Sequence, residues 1–169
     1  MTIPAGIGVR RARTADVDAI RSLVDHYGPD RRLLSKATVT LYEDVQEFVV
    51  ADAAGQVIAC AALHVIWRDL AEVRTVAVRP EFAGRGVGTM LVQRLIERGR
   101  DLGTSRIFCL TFEVDFFERF GFEILHGPAV RPEVFAELLH SEDEGVAEFL
   151  DLERVKPNTL GNTRMILRL

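Results

Sequence analysis

The apolar spacing in the first quarter of the chain changes from a strand-like to a helix-like period. Residues 9–13 alternate weakly between apolar and polar and predict a strand. Thr14 follows as a candidate N-cap, and the predicted helix ends at the segment YGPD. Its apolar positions recur at helical spacing, at Val17, Ile20, Val24 and Tyr27. Residues 31–47 are less regular and predict a second short helix, because Leu41 and Val45 lie one helical turn apart.

The next segment carries the pattern of a hairpin. EFVVADAAGQVIACAALHVIW, residues 47–67, contains two runs rich in β-branched residues that are joined by DAAGQ, with a glycine near the turn. A short RDL turn then leads into the apolar run AEVRTVAV, residues 71–78. We therefore predict three consecutive antiparallel strands.

The second half predicts a helix, a buried strand and several shorter elements. After a glycine-rich loop, one helix face is formed by Val87, Leu91, Leu95 and Leu102, with Met90 and Ile96 flanking it and Gly103 as the stop. The nearly all-apolar run SRIFCLTF is typical of a central strand. DFFERFGFEIL predicts a short helix, a glycine break and a strand, and residues 133–139 a further helix. LHSEDEG is interpreted as a solvated acidic loop, and NTRMILRL as a closing strand.

Composition narrows the class of protein. With 169 residues, 48% of them hydrophobic, we expect a single globular domain spanning residues 1–169. No apolar run is long enough for a membrane span or a signal peptide, so we expect a cytoplasmic protein. The net charge of −4 is spread along the chain, which favours a small-molecule partner over nucleic acid or a membrane. Cys60 and Cys109 lie in apolar runs and are interpreted as buried small hydrophobes.

The segment RPEFAGRGVGTML, residues 79–91, carries the chemistry-bearing motif. A strand, a glycine loop and a helix together make an anion site, because loop N–H groups and the free N–H groups of the helix point to one place. The P-loop pattern is excluded because no lysine lies close to Gly88. The dinucleotide-binding pattern requires GxGxxG after the first strand of a βαβ unit, whereas this loop reads GxGxG after a hairpin.

The run TVAVRPEFAGRGVGTMLV resembles the strand, loop and helix of the GNAT acetyltransferases, with Ala83 in place of their usual Gln or Arg. The alternative is a plain glycine turn. The resemblance implies an α/β (α+β) fold with a mixed, mostly antiparallel central sheet, splayed central strands and flanking helices. It also implies acetyl-CoA as co-substrate, with the pantetheine arm on Val76, Ala77 and Val78, and with the pyrophosphate on Gly84, Arg85, Gly86, Val87, Gly88 and Thr89.

Most of the chain is also similar to the short, stand-alone amino-acid N-acetyltransferases that make N-acetylglutamate for arginine biosynthesis, above all in GVAEFLDLERVKPNTLGNTRM. Glutamate presents two carboxylates and an amine, so its pocket needs cationic or multi-donor groups. The substrate-binding candidates are Lys36, Arg74, Asn162, Thr163 and Arg164. For Lys36, Arg74 and Arg164 the alternative is an ordinary solvated side chain.

Glu72, at the start of the strand that leads to the glycine loop, is the candidate base. The resembling synthases place an acidic residue there beside the acceptor amine, which must lose a proton before it attacks the thioester. The alternative for Glu72 is a strand-end ion pair with Arg74 or Arg68. The backbone N–H near Val76 is expected to hold the thioester oxygen.

We predict that no residue acts as a dedicated acid for the leaving thiolate. Many members of the superfamily place a tyrosine in the helix after the central strand, where this chain has Phe117, interpreted as a cofactor contact. Thr111 is predicted to relay a proton or orient water. The four histidines have no ligand spacing, so no metal is expected.

Three functions remain open from the sequence: acetylation of glutamate, acetylation of glutamine, another amino acid or a protein N-terminus, and acyl-CoA sensing without turnover. Analogy with the superfamily adds a possible homodimer.

Overall fold

The computed structural model describes residues 6–27, 37–150 and 161–169. Its strands are β1 (Ile7–Arg11), β2 (Phe48–Ala53), β3 (Gln56–Trp67), β4 (Leu70–Val78), β5 (Arg106–Thr111), β6 (Glu123–Ile124) and β7 (Thr163–Arg168). Its helices are α1 (Val17–Tyr27), α2 (Thr38–Glu43), α3 (Val87–Asp101), α4 (Val114–Glu118), α5 (Pro132–Leu138) and α6 (Glu144–Phe149).

The strands form one sheet in the order β1-β2-β3-β4-β5-β7-β6. Every neighbouring pair is antiparallel except β4 and β5, which run parallel. The predicted mixed, mostly antiparallel sheet is therefore confirmed. The predicted hairpin is confirmed too: Ala54 and Gly55 both have positive φ, the conformation that matches a two-residue turn to the twist of its strands.

The first elements differ from the prediction in detail. β1 begins two residues earlier than predicted, and Thr14 opens a single 3-10 turn, Thr14–Asp16, before α1. Thr14 is not the cap. Arg13 is the N-cap residue of this turn, and the carboxylate of Asp16 accepts the Arg13 N–H at 2.7 Å, as the third residue of a capping box does.

β4 and β5 pair over only part of their length. Four residue pairs join them, from Leu70 with Arg106 to Val73 with Cys109. β4 then continues for five residues to Val78, and no strand of the described residues pairs with it on that side. The predicted splay of the central strands is therefore confirmed. The gap that it opens leads directly to the glycine loop before α3.

The two faces of the sheet are covered differently. One face packs against α3 and α4 in a single apolar cluster that includes Leu91, Leu95 and Phe117. On the other face, α1 and α2 form one cluster and α5 and α6 form a second. Leu102, predicted to share the buried face of α3, is 50% exposed, because the helix ends at Asp101 and the chain turns at Gly103; Val92 and Gly99 are buried instead.

The predicted acidic loop is only partly a loop. Glu144 begins α6, and Oδ1 of Asp143 accepts the Val146 N–H at 2.8 Å, as an N-cap residue does. The prediction that this segment is solvated is wrong for Asp143, whose side chain is 25% exposed and faces a buried arginine.

Both cysteines are free and buried, as predicted. No described helix is long and apolar enough to cross a membrane. The described part of the chain contains no group of three or more His, Cys, Asp and Glu side chains arranged to hold a metal ion.

Replacing Leu41 by Ala tests how α2 is held. Leu41 is 1% exposed in the cluster with α1, so we expect a loss of about 2–5 kcal/mol in the free energy of unfolding. Val39→Ala in the same helix is the matched control. Val39 is 61% exposed, and its replacement is expected to change stability by less than about 0.5 kcal/mol. Urea unfolding measures both, and equal effects would contradict this packing.

Candidate active site

The glycine loop has the backbone geometry of an anion site. Gly84 and Gly86 have φ of 72° and 82°, which residues with a Cβ rarely adopt. Gly86 is the N-cap of α3, and the first intrahelical bond runs from the Met90 N–H to the Gly86 carbonyl at 3.1 Å. The N–H groups of the first three helical residues, Val87, Gly88 and Thr89, therefore have no partner within the helix and point out of its N-terminus.

Phe116, rather than Phe117, lies beside this loop. A Cβ on Gly88 would stand 3.4 Å from the Phe116 ring and 3.8 Å from Val78, so both side chains lie in van der Waals range of this position. Phe117 is 5% exposed and packs edge-to-face against Phe122, with ring centroids 5.3 Å apart. The predicted cofactor contact of Phe117 stays a prediction, and Phe116 is a contact that the sequence analysis missed.

A bulge shapes β4 just before the loop. Cys60 pairs with Ala77 and Ala62 with Arg74, so two residues of β4, Thr75 and Val76, oppose one residue of β3. Thr75 has φ of 56°, a strained conformation for a β-branched residue that is typical of functional sites. The bulge sets the direction of the N–H of Val76, the group predicted to bind the thioester oxygen.

Ala77 and Val78, both predicted to hold the pantetheine arm, point their backbone polar groups in opposite directions. The N–H of Arg79 donates to the Ile58 carbonyl of β3. Successive residues of a strand point their backbone N–H and C=O groups to opposite sides, so those of Val78 face the gap and those of Ala77 face β3. The Val78 carbonyl already accepts the Tyr27 hydroxyl at 2.5 Å, which ties the end of α1 to the gap. Of these two residues, Val78 is the one whose N–H faces the gap.

Glu72 and Arg74 form a buried ion pair on the face covered by α1, α2, α5 and α6. Arg74 Nε donates to Glu72 Oε2 at 2.7 Å, and the two side chains are 7% and 4% exposed. The alternative that the sequence raised for Glu72, an ion pair with Arg74, is therefore present. Burial raises the pKa of Glu72 above its usual range even though Arg74 opposes the rise, which makes the carboxylate a stronger base.

Asp143 and Gly145 enclose the other side of Arg74. Arg74 Nη2 lies 2.9 Å from Oδ1 of Asp143. Burial alone would raise the pKa of Asp143, but the Arg74 charge and the Val146 N–H lower it overall. A Cβ on Gly145 would stand 2.5 Å from Cζ of Arg74, so the backbone at the start of α6 lies directly on the guanidinium. Nη1 of Arg74 is buried without a hydrogen-bond partner among the described residues.

Arg164 provides a second guanidinium on the same face. On one side of β5, Leu110 pairs with Arg164 of β7. On the other side, Cys109 pairs with Val73 of β4, so Arg74 is next to Leu110. The two arginines are therefore two strand spacings apart, about 10 Å or more. Arg164 lies 5.7 Å from the centroid of the Phe108 ring, and its Nη1 donates to the Gly127 carbonyl at 3.1 Å. Its Nε is buried and has no hydrogen-bond partner in the described ranges.

The remaining predicted residues are not all on this face. Thr163 pairs with Thr111, and strand alternation puts both on the α3 side of the sheet, away from Arg164 and Glu72. The hydroxyl of Thr111 accepts the Glu113 N–H at 2.8 Å and so shapes the turn into α4. Asn162 immediately precedes β7, and Lys36 lies outside the described residues.

The sequence held signals for two of the missed residues. Asp143 stands three residues before Val146, and Phe149 and Leu150 continue a helical spacing, which together are an N-cap signature hidden within an acidic run. Gly145 follows that cap, although nothing local indicates that it contacts Arg74. Tyr27 was assigned only to the apolar face of α1, and its hydroxyl was overlooked.

The chain belongs to the acetyltransferase (GNAT) family, whose model matches residues 17–122. It is 57% identical over 162 residues to an amino-acid acetyltransferase of Mycobacterium tuberculosis, covering 94% of this chain and 92% of that protein. The predictions of a GNAT fold, an acyltransferase and kinship with the amino-acid acetyltransferases are confirmed.

Solved structures agree with this assignment. Rv2747 from M. tuberculosis, in complex with CoA and NLQ, superposes with a TM-score of 0.93 at 56% identity, over 96% of this chain and 99% of that one. N-acetylglutamate synthase from Neisseria gonorrhoeae, complexed with coenzyme A and N-acetyl-glutamate, gives a TM-score of 0.77 over 98% of this chain and 35% of that one. At 22% identity the second likeness concerns the fold alone.

Arg74→Met should destabilise the protein in a pH-dependent way. Burial already raises the pKa of Glu72, and removing the Arg74 charge raises it further. Between the ordinary pKa of 4.5 and this raised pKa, Glu72 is protonated in the folded state and ionised in the unfolded state, so folding takes up a proton. We expect a small loss near pH 4.5 that grows with pH to about 3–5 kcal/mol at neutral pH, where a buried carboxylate has lost its partner. Urea unfolding across this range measures it.

Arg94→Met is the control for that series. Arg94 is 45% exposed on α3, and its ion pair with Glu97 is worth less than about 1 kcal/mol at any pH. A loss for Arg74→Met that did not change with pH would contradict the ion-pair analysis.

Gly84→Ala tests the loop against Gly103→Ala at the other end of α3. Both glycines have positive φ and open space at the Cβ position, so each substitution should cost about 1–2 kcal/mol of stability. Only Gly84→Ala should weaken coenzyme A binding, by about tenfold, measured by isothermal titration calorimetry. Equal affinities in the two variants would contradict phosphate binding at this loop.

Proposed function

We propose that this acetyltransferase transfers the acetyl group of acetyl-CoA to the α-amine of L-glutamate. The observation that carries the proposal is Glu72, a buried carboxylate on the strand that leads into the glycine loop. The same sheet face carries two arginines whose buried N–H groups have no hydrogen-bond partner among the described residues. The name of the M. tuberculosis relative, amino-acid acetyltransferase, supports an amino-acid acceptor. Glutamate itself follows from the family resemblance. The cytoplasmic location stays a prediction from the hydropathy of the sequence, and the homodimer one by analogy with the superfamily alone.

Acetyl-CoA supplies the acyl group as an activated thioester. In the proposed reaction the substrate ammonium gives a proton to Glu72, whose raised pKa brings it closer to that of the proton donor. The amine lone pair then forms a bond to the carbonyl carbon while the N–H of Val76 binds the carbonyl oxygen. The carbon–sulfur bond breaks, and the thiolate takes the remaining proton from the new amide nitrogen through solvent.

The arginines supply the charge that holds the acceptor. Arg164 Nε and Arg74 Nη1 are the buried donors still free to bind carboxylate oxygens among the described residues. Lys36 and Asn162 stay predictions for the rest of the pocket. Thr163 stays a prediction too, although its side chain is on the opposite sheet face from Arg164 and Glu72. Thr111 stays a prediction for a water-orienting role beside the thioester.

Glutamine is a second candidate acceptor, and a charge count favours it. Arg74 already lies between two carboxylates, Glu72 and Asp143, so its surroundings carry no surplus positive charge for a further carboxylate. The carboxamide of glutamine would bind there without adding a negative charge.

The decisive experiment measures thiol release from acetyl-CoA with glutamate, glutamine and leucine as acceptors, using a coloured thiol reagent. The enzyme should contribute little background, because burial raises the pKa of Cys60 to about 12 and that of Cys109 well above its usual value. We expect kcat/KM at least about tenfold higher for glutamate or glutamine than for leucine. Equal rates with leucine would overturn the amino-acid specificity, and no release with any acceptor would favour a sensor.

Glu72→Gln tests the base. We expect kcat to fall by about 10²–10⁴ while coenzyme A binding is unchanged. Glu97→Gln on the exposed side of α3 is the control, and its kcat should match the parent. Undiminished activity in Glu72→Gln would remove Glu72 from the mechanism.

A further inference from the structure

The proposed reaction leaves one proton behind in every turnover. An ammonium and a thioester become a neutral amide and a thiol, so one of the two protons that nitrogen loses goes to sulfur and the other must leave the protein. Glu72, the proposed acceptor of that proton, is 3% exposed. Its ion-pair partner Arg74 cannot take the proton, because a guanidinium is already fully protonated. An exit for the proton is therefore required.

His64 lies directly opposite Glu72 in the β3–β4 register. Facing residues of antiparallel strands direct their side chains to the same face, with Cβ atoms about 4.5–5.5 Å apart. The His64 side chain is 20% exposed, so it is near the buried carboxylate and in contact with solvent at once.

Glu47 fixes the tautomer of His64. Its Oε1 lies 2.7 Å from Nδ1 of the imidazole. An ionised carboxylate only accepts hydrogen bonds, so the neutral ring carries its hydrogen on Nδ1, and Nε2 is the basic nitrogen. The second oxygen of Glu47 is buried without a hydrogen-bond partner in the described part of the chain, so this negative charge is directed to the imidazole.

Charged neighbours on other elements act on the same two groups. Arg74 and His64 lower the pKa of Glu72, while Asp143 raises it. Asp143 also interacts with His64, and Cys109 of β5 interacts with Glu72. Asp143 thus favours the protonated form of Glu72, and Glu47 provides a negatively charged group beside the His64 ring.

We propose that His64, positioned by Glu47, carries the reaction's proton from Glu72 to solvent. This inference rests on the proposed function of Glu72. The protonated carboxyl of Glu72 gives its hydrogen to Nε2 of His64, which restores the carboxylate and forms an imidazolium paired with Glu47. The imidazolium then loses that proton to water, which the partly exposed His64 side chain contacts, and both groups return to their starting states. No other bond changes.

His64→Gln tests the relay by separating the first turnover from later ones. Glu72 starts ionised, so coenzyme A should appear in a first turnover at the parent rate in quenched-flow measurements. Steady-state kcat should then fall by about tenfold or more with KM unchanged, and added imidazole should restore it. His126→Gln, an exposed histidine after β6, is the matched control and should leave both phases unchanged.

The contrary outcomes are distinct. Parent-like turnover in His64→Gln, equal slowing of both phases, or a steady-state loss that imidazole does not restore would each overturn the relay. Glu47→Gln keeps an acceptor for Nδ1 but removes the charge, so steady-state kcat should fall by a smaller factor, and an unchanged kcat would overturn the part of Glu47. If Glu72→Gln keeps full activity, the proposed role of Glu72 as the base fails and the relay fails with it, whereas the acceptor comparison tests the proposed function itself. If only Glu72→Gln is impaired, the relay alone fails.

Discussion

The buried pair of Glu72 and Arg74 is the constraint around which the rest of the site is arranged. Two charges withdrawn from water are tolerated only when each is compensated, and here Asp143 supplies the second anion for Arg74. That requirement fixes the start of α6, because Asp143 is also the cap of that helix and Gly145 is in contact with the guanidinium. A loop that is acidic in sequence is thereby built into the wall of the site.

The same constraint explains why the two sheet faces differ. The face toward α3 has one continuous apolar cluster, and it supports the loop and helix that present free N–H groups. The opposite face is divided into two apolar clusters, and the charged side chains of Glu72 and Arg74 lie on the strands between them. Dividing a core in this way costs stability, but it puts polar chemistry beside the gap where β4 and β5 separate.

Local patterns predicted what local forces determine. The hairpin followed from β-branched runs around Ala54 and Gly55, the buried central strand from its unbroken apolar run, and the anion site from glycines between a strand and a helix. Glu72 was predicted as the base because the resembling synthases place an acidic residue at the start of this strand. Long-range contacts carried no such signal: the approach of Gly145 to Arg74, and the choice of Phe116 over Phe117, depend on how helices far apart in sequence dock. Leu102 fitted the helical period, but α3 stopped before that period could bury it.

The two buried thiols bear on how the enzyme withstands oxidants. Coenzyme A that has been oxidised to its disulfide is attacked by accessible protein thiolates, which form a mixed disulfide and release one coenzyme A thiolate. Cys60 and Cys109 are enclosed in the core and are held in the protonated form, which is the poor nucleophile. The two core cysteines are therefore poor sites for a covalent adduct with the disulfide form of the enzyme's own product.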